Sequence, residues 1–463
     1  MPRPSVVRYT GLAGSLFLTG ASWLGGATDP WEPTVTPRTI LAGQDGVLLP
    51  LCWLFGTVLL IVAWWWGRRN PPSVRWVWVT AGLWSLPLLV SLPLGSYDVY
   101  SYACQGWQQA AGLNPYDGGV DLLGCPWSDA VAPTWRTSPA PYGPVFLVLA
   151  AVAAKLGGSL IATVVLLRLI AVLGVVAIAV CLPVLARRVA LVPERATWLF
   201  LACPLVPVHL ISGAHNEAVM IALILGGMVA ATSERALTTG VLLGLAVGVK
   251  ATAIVVLPFV LLLIPGRINR IVRSGGGAVL ALVAVSLGSG LGLGWITGLT
   301  GSGVSVQWTA PSTAVGMTLQ MLGVPHAVPV TRVLGMILLA GVLVLLGVRA
   351  LRRGDALRNA ALALTATVVL APVFHPWYAL WPLAVLAVTS KNDTKWLLVP
   401  VTVAAVLCLP DGYNLALATK AQGAIVMTAL VGYLTWKVFY ETNRNGLRLV
   451  LGGGGPDRGQ RAS

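Results

Sequence analysis

Apolar stretches long enough to cross a bilayer follow one another along this chain, and the polar breaks between them are of two kinds. One kind is basic: Arg3/Arg8, Arg68/Arg69/Arg75, Arg187/Arg188/Arg195, Arg235, Arg267/Arg270/Arg273, Arg349/Arg352/Arg353/Arg358, Lys391/Lys395 and Lys437/Arg444/Arg448. The other carries isolated polar groups: Asp98, the triplet His215-Asn216-Glu217, Lys250, the loop around Trp308, His375 and Asp411. Between successive basic clusters there is room for two passes. The stretch Ala236 to Pro265 would make a single helix about 45 Å long, against a hydrocarbon core of about 30 Å. A hairpin with short arms and Lys250 at its tip fits both flanks better. Repeated along the chain, this predicts about seven hairpins and about fourteen spans with both termini on the basic side.

Basic residues collect on the cytoplasmic side of membrane proteins. The tips then face outward, and their scattered polar residues form one extracytoplasmic layer. The longest outer loop runs from about Gly95 to Ala140. In it, Asp98 is expected to cap a helix over Val99 to Ala111, whose Val99, Tyr102, Ala103, Gly106 and Ala110 would lie on the membrane face. Gly112 ends the helix, and Pro115 turns "NPY" into an extended turn. Counting Val145 to Leu156 as a span would put Arg187 and Arg188 outside, so it reads as a juxtamembrane helix in the interface. Residues 1–450 then form one transmembrane unit with an outer loop at 95–158, and the Gly-rich residues 451–463 a disordered cytoplasmic tail. The run Val6 to Ala27 is expected to be an uncleaved first span.

Composition agrees with this reading. The chain has 463 residues, 57% of them hydrophobic and 10% charged, with a mean hydropathy of +0.82. That is the profile of an all-α polytopic membrane protein. A net charge of +15 would suggest nucleic acid in a soluble protein. Here the cations sit between apolar runs, where they orient spans and meet anionic lipid. Of six cysteines, Cys104 and Cys125 share the outer loop, where either a disulfide or two buried thiols fits. No CxxC, HExxH or His cluster suggests a metal.

An acid among Tyr97, Tyr100 and Tyr102 at a membrane edge suggests sugar chemistry. Aromatic faces stack on pyranoses, and a carboxylate accepts the proton of an attacking hydroxyl. A lipid-phosphate leaving group calls for cations near the headgroups: Lys250, His375, Arg332, Arg136 and Arg168, the last a costly charge inside an apolar run. Plainer roles stand beside these. Asp98 serves as a cap alone, Lys250 snorkels, the triplet starts a helix with Glu217 as reserve base, and Trp377, Tyr378 and Trp381 join an aromatic belt.

The ordered set "GSYDVYSYACQG…GLNPY", "PYGPVF", "SGAHNEAVM", "GLAVGVKATA" and "FHPWYALWPL" resembles the actinobacterial polyprenyl-phosphomannose-dependent α-1,6-mannosyltransferases, the MptA/MptB family of GT-C glycosyltransferases. The resemblance covers most of the chain from about Val77 to Leu383. It implies a GT-C bundle in the plasma membrane that transfers mannose from polyprenyl-phosphate-mannose, outside the membrane, to an α-1,6-mannan or phosphatidylinositol-mannoside-type acceptor in lipomannan and lipoglycan synthesis. Asp98 matches the family's base. Lys250, Arg136, Arg332, His375 and Arg168 are the expected donor-phosphate ligands. Tyr97, Tyr100, Tyr102, Asn114, Tyr116, Tyr142, His215, Asn216, Glu217, Trp308, Trp377 and Tyr378 are the expected substrate contacts. Beyond the donor lipid no cofactor is required, a divalent metal stays open, and nucleic acid is not a partner. Two alternatives remain at this stage: a GT-C enzyme for polyprenyl-phosphate arabinose or glucose, and a lipid-linked sugar flippase or transporter.

Overall fold

A chain that crosses hydrocarbon must satisfy its backbone groups internally, so long apolar runs without charges become helices. The computed structural model describes residues 2–32, 35–298, 305–390 and 395–451, with backbone alone for 442–451. The tail at 452–463, expected to be disordered, lies outside the described residues. Among the described residues there is no strand, and the one isolated bridge pairs Cys408 with Asn414. The protein is an all-helical polytopic membrane protein.

Among the described residues, five helices are long and apolar enough to cross a bilayer alone: Leu48–Gly67, Leu160–Arg188, Asn269–Gly288, Ala327–Arg353 and Lys420–Glu441. The pair Pro193–Leu201 and Val206–Ser212, bent by 64°, adds a sixth if it is one span. Shorter apolar helices include Pro144–Gly157, Glu217–Ala231, Ala236–Val249, Ala356–Leu370, Pro376–Ala387 and Lys395–Ala405. The hairpin tips fall where the charge pattern puts them. At Lys250 the backbone is extended between the Ala236–Val249 helix and a 3-10 turn at Ala251–Val255. Buried apolar residues from Val7 to Ala404 form one continuous core.

Short arms pack closely because their contacts are made of glycine. A Cβ at Gly240 would stand 2.0 Å from the Ser274 carbonyl oxygen, and one at Gly244 2.2 Å from that of Ala278. The Ala236–Val249 helix therefore meets its neighbour backbone to backbone, the small-residue crossing common in membranes. At its far end a Cβ on Gly143 would lie 2.2 Å from the Gly248 carbonyl oxygen, and Gly143 N–H donates to Val249 O at 3.0 Å. This contact seats the start of the Pro144–Gly157 helix beside Lys250.

The outer-loop helix runs Asp98–Ala110, with Tyr97 at its cap position. Asp98 is thus its first residue, not its cap, because Ser96 Oγ already accepts the Asp98 N–H at 3.0 Å. Its carboxylate is left free for other work. The face expected to meet the membrane is buried instead: Val99, Tyr102 and Ala103 are at most 1% exposed, and a Cβ on Gly106 would lie 2.3 Å from Ala150 O. The Pro144–Gly157 helix covers that face, since two small-residue surfaces meeting each other exclude lipid. Gly112, at φ +82°, ends the helix as expected, and Cys104 and Cys125 are joined in a disulfide.

Candidate active site

Four hairpin tips converge around the Asp98 carboxylate. His215 Nδ1 is 4.0 Å from Asp98 Oδ2 and 3.6 Å from Glu217 Oε2. Glu217 Oε1 accepts from Lys250 Nζ at 2.5 Å. His375 lies flat on Trp377, their ring centroids 4.8 Å apart and their planes within 4°. Trp377 also packs against His215 at 4.2 Å. The fifth tip abuts the same place, since Gly95 N–H donates to Pro410 O at 2.9 Å.

A cavity of about 410 Å³ opens over this cluster. Asp98, Tyr102, Trp135, Tyr142, Lys250, His375, Trp377, Tyr378 and Trp381 line one part of it. The other part is apolar, built from Met336, Leu339, Val368 and Ala371. Met336 is 47% exposed, so this limb is open at the surface of a helix long and apolar enough to span a bilayer. The Lys250 ammonium stands over the rings of Tyr378 and Trp381, 4.5 and 4.9 Å from their centroids. Aromatic faces hold a desolvated cation in place without neutralising it. Burial lowers the His375 pKa to about 4, so near pH 7 this ring is a neutral hydrogen-bonding group and not a second cation.

Other expected residues are engaged elsewhere. Arg168 donates to Ser212 O and Leu89 O, tying together the carboxyl ends of two helices, where a cation complements the helix dipole. Arg136 holds its own loop by donating to Val131 O and Asp129 O. Arg332 donates to Thr313 Oγ1 and Ser305 O. Tyr97 OH accepts from Thr28 N, and Tyr100 OH donates to Ala27 O. Tyr116 OH donates to Tyr142 O. Asn114 Oδ1 accepts from the Tyr116 N–H, closing the "NPY" turn. Trp308 Nε1 donates to Thr419 Oγ1. None of these residues lines the cavity. His215 and Glu217 stand behind its wall, and Asn216 is buried with both side-chain polar atoms unpartnered. Among the described residues no three His, Cys, Asp or Glu side chains are arranged to hold a metal ion.

Residues 8–266 match the family model "Alpha-(1->6)-mannopyranosyltransferase, N-terminal domain", and residues 308–438 match "MptB C-terminal domain". The chain belongs to the MptA/MptB family. Among its relatives is alpha-(1->6)-mannopyranosyltransferase A of Mycobacterium tuberculosis, 31% identical over 414 residues, which covers 81% of this chain and 79% of the relative. Alpha-(1->6)-mannopyranosyltransferase B of Corynebacterium glutamicum is 32% identical over 381 residues, covering 73% of this chain and 63% of the relative. A probable alpha-(1->6)-mannopyranosyltransferase of Mycolicibacterium smegmatis is 33% identical over 402 residues, covering 76% and 71%. No solved structure matches the chain.

Within this family member, Trp135 is the site residue that sequence reasoning passes over. Its indole Nε1–H donates to Asp98 Oδ1 at 3.1 Å, yet nothing in "APTWRTSPAP" distinguishes it from the other tryptophans of a Trp-rich chain. Trp381 stands inside the motif "FHPWYALWPL" and is read from the sequence as part of an aromatic belt, whereas it lines the cavity.

Proposed function

We propose that this mannosyltransferase takes mannose from a polyprenyl-phosphate carrier and places it, with inversion, on the 6-hydroxyl of an α-1,6-mannan or phosphatidylinositol-mannoside-type acceptor, for lipomannan and related lipoglycans. The observation that carries the lipid donor is the two-part cavity. Its inner part offers an acid, a cation and aromatic walls, and its outer part is a hydrocarbon slot between the Ala327–Arg353 and Ala356–Leu370 helices. A phosphosugar on a prenyl chain suits both parts, whereas a nucleotide sugar would leave the apolar limb empty.

In this reading Asp98 Oδ2 accepts the proton as the acceptor oxygen attacks the anomeric carbon. That carbon's bond to the phosphate oxygen breaks, and the lipid phosphate leaves with the electron pair. Lys250 meets the growing charge on the phosphate. Glu217, entirely buried, holds the ammonium in position from behind. Attack opposite the leaving group converts a β-linked donor into an α-linked product, and holding both partners in line supplies much of the acceleration. The helices that deliver these residues carry their basic clusters at the opposite end, for example Arg235 before the helix that leads to Lys250. This distribution of basic residues supports a cavity on the extracytoplasmic side and both termini in the cytoplasm.

The test is a reconstitution in proteoliposomes with a short α-1,6-mannoside and labelled mannose on either polyprenyl phosphate or a nucleotide. Label moving from the lipid into an α-linked product supports the reading. Label moving from the nucleotide alone overturns the donor, and a β-linked product overturns the inversion.

A further inference from the structure

We propose that Trp135 is the positioning residue of the transfer, a side chain that fixes the Asp98 carboxylate in its working orientation. This rests on the reading of Asp98 as base. The Trp135 indole gives Asp98 the one side-chain hydrogen bond it makes among the described residues, at Oδ1. Asp98 Oδ2 stands 4.0 Å from His215 Nδ1, beyond hydrogen-bonding distance. One oxygen is therefore held and the other left open to the cavity that both residues line. A carboxylate swings freely about its last bond unless a donor stops it, and a base must present a lone pair within about 3 Å of the proton it takes.

The loop is built to hold that indole still. Trp135 lies in the single helical turn Pro133–Arg136, and its backbone N–H donates to Ala132 O at 2.9 Å. The neighbouring Arg136 is anchored to Val131 O and Asp129 O at 2.9 and 3.0 Å. Behind the turn, a Cβ on Gly119 would stand 2.2 Å from Arg136 O, so the two loop strands touch through backbone. The Cys104–Cys125 disulfide ties the same loop to the Asp98 helix. Arg136 thus serves the site through Trp135, and the disulfide limits how far the indole can move from its carboxylate.

Removing the N–H while keeping an aromatic ring leaves the carboxylate free to turn. That loss of orientation lowers kcat, by about ten-fold for one hydrogen bond to a charged group, with KM for donor and acceptor nearly unchanged.

The experiment compares wild type, W135F and D98N, together with a protein carrying benzothienylalanine at position 135, which keeps the shape of indole without its N–H. Each is purified in nanodiscs and checked by thermal unfolding. The expected result is a kcat lower by about ten-fold with KM nearly unchanged in both position-135 variants. Wild-type kcat in the benzothienylalanine protein, with D98N inactive, would overturn the role of Trp135 and leave the base assignment standing. Wild-type turnover by D98N would overturn the base assignment itself.

Discussion

The Lys250 ammonium and the Glu217 carboxylate meet at 2.5 Å, and Glu217 has no exposure to solvent at all. A charge so placed is tolerable only while it is paired, and removing one partner of a buried pair costs about 3–5 kcal/mol. Lys250→Met should therefore destabilise the protein and abolish transfer. Adding Glu217→Gln to it removes the stranded charge, so the double variant should regain most of its thermal stability in detergent and none of its activity. Recovery of activity in the double variant would remove Lys250 from the phosphate site.

Close backbone contact sets where Lys250 stands. Gly143→Ala would press a methyl group against the Gly248 carbonyl at 2.2 Å and push the Pro144–Gly157 helix off the Lys250 break. A loss of at least about ten-fold in transfer is expected, in line with the sensitivity of catalysis to small misplacements. Gly341→Ala, which meets nothing within 4 Å, is the control and should match wild type in rate and in melting temperature.

Reduction of Cys104–Cys125, or its replacement by two serines, opens a loop of 21 residues. Loop-closure entropy makes such a bridge worth about 3 kcal/mol. Activity should fall further than stability alone explains, because the freed segment carries Trp135. Parallel titration of thermal midpoint and transfer rate against a membrane-permeant reductant checks both parts.

Asp411 supplies a pH dependence. It is buried in a turn, and burial raises its carboxyl to about 6 from an ordinary 3.8, although the Val35 and Tyr413 N–H groups donate to it. A folded-state pKa above the unfolded one stabilises at low pH, and that contribution is lost as pH rises from about 4 through about 6. It amounts to about 3 kcal/mol. The wild-type melting temperature should fall between about pH 4 and pH 6 relative to Asp411→Asn, measured in the same detergent.

Much of this architecture is legible in the sequence because charge and hydrophobicity act along the chain. The basic clusters and the length of each apolar run are enough to put breaks at Lys250, at His215-Asn216-Glu217 and at His375, and the folded protein brings these breaks to one place. Contacts across the bundle are not encoded that way. Arg168 reads as a ligand because a charge in an apolar run demands partners, and two helix-end carbonyls take its Nε and Nη1 groups. Asp98 reads as a cap because Asp caps helices well, but Ser96 two positions earlier takes that bond. The covered face of the Asp98 helix and the indole of Trp135 depend on loop closure, which no local pattern reports.

The most direct test of the account is the initial rate of mannosyl transfer by Asp98→Asn beside wild type, in the same nanodiscs, with melting temperatures recorded together. General-base assistance is worth about 10² to 10⁴ in rate. The account predicts a loss of at least that lower bound with the melting temperature unchanged. Equal rates in the two proteins would contradict it.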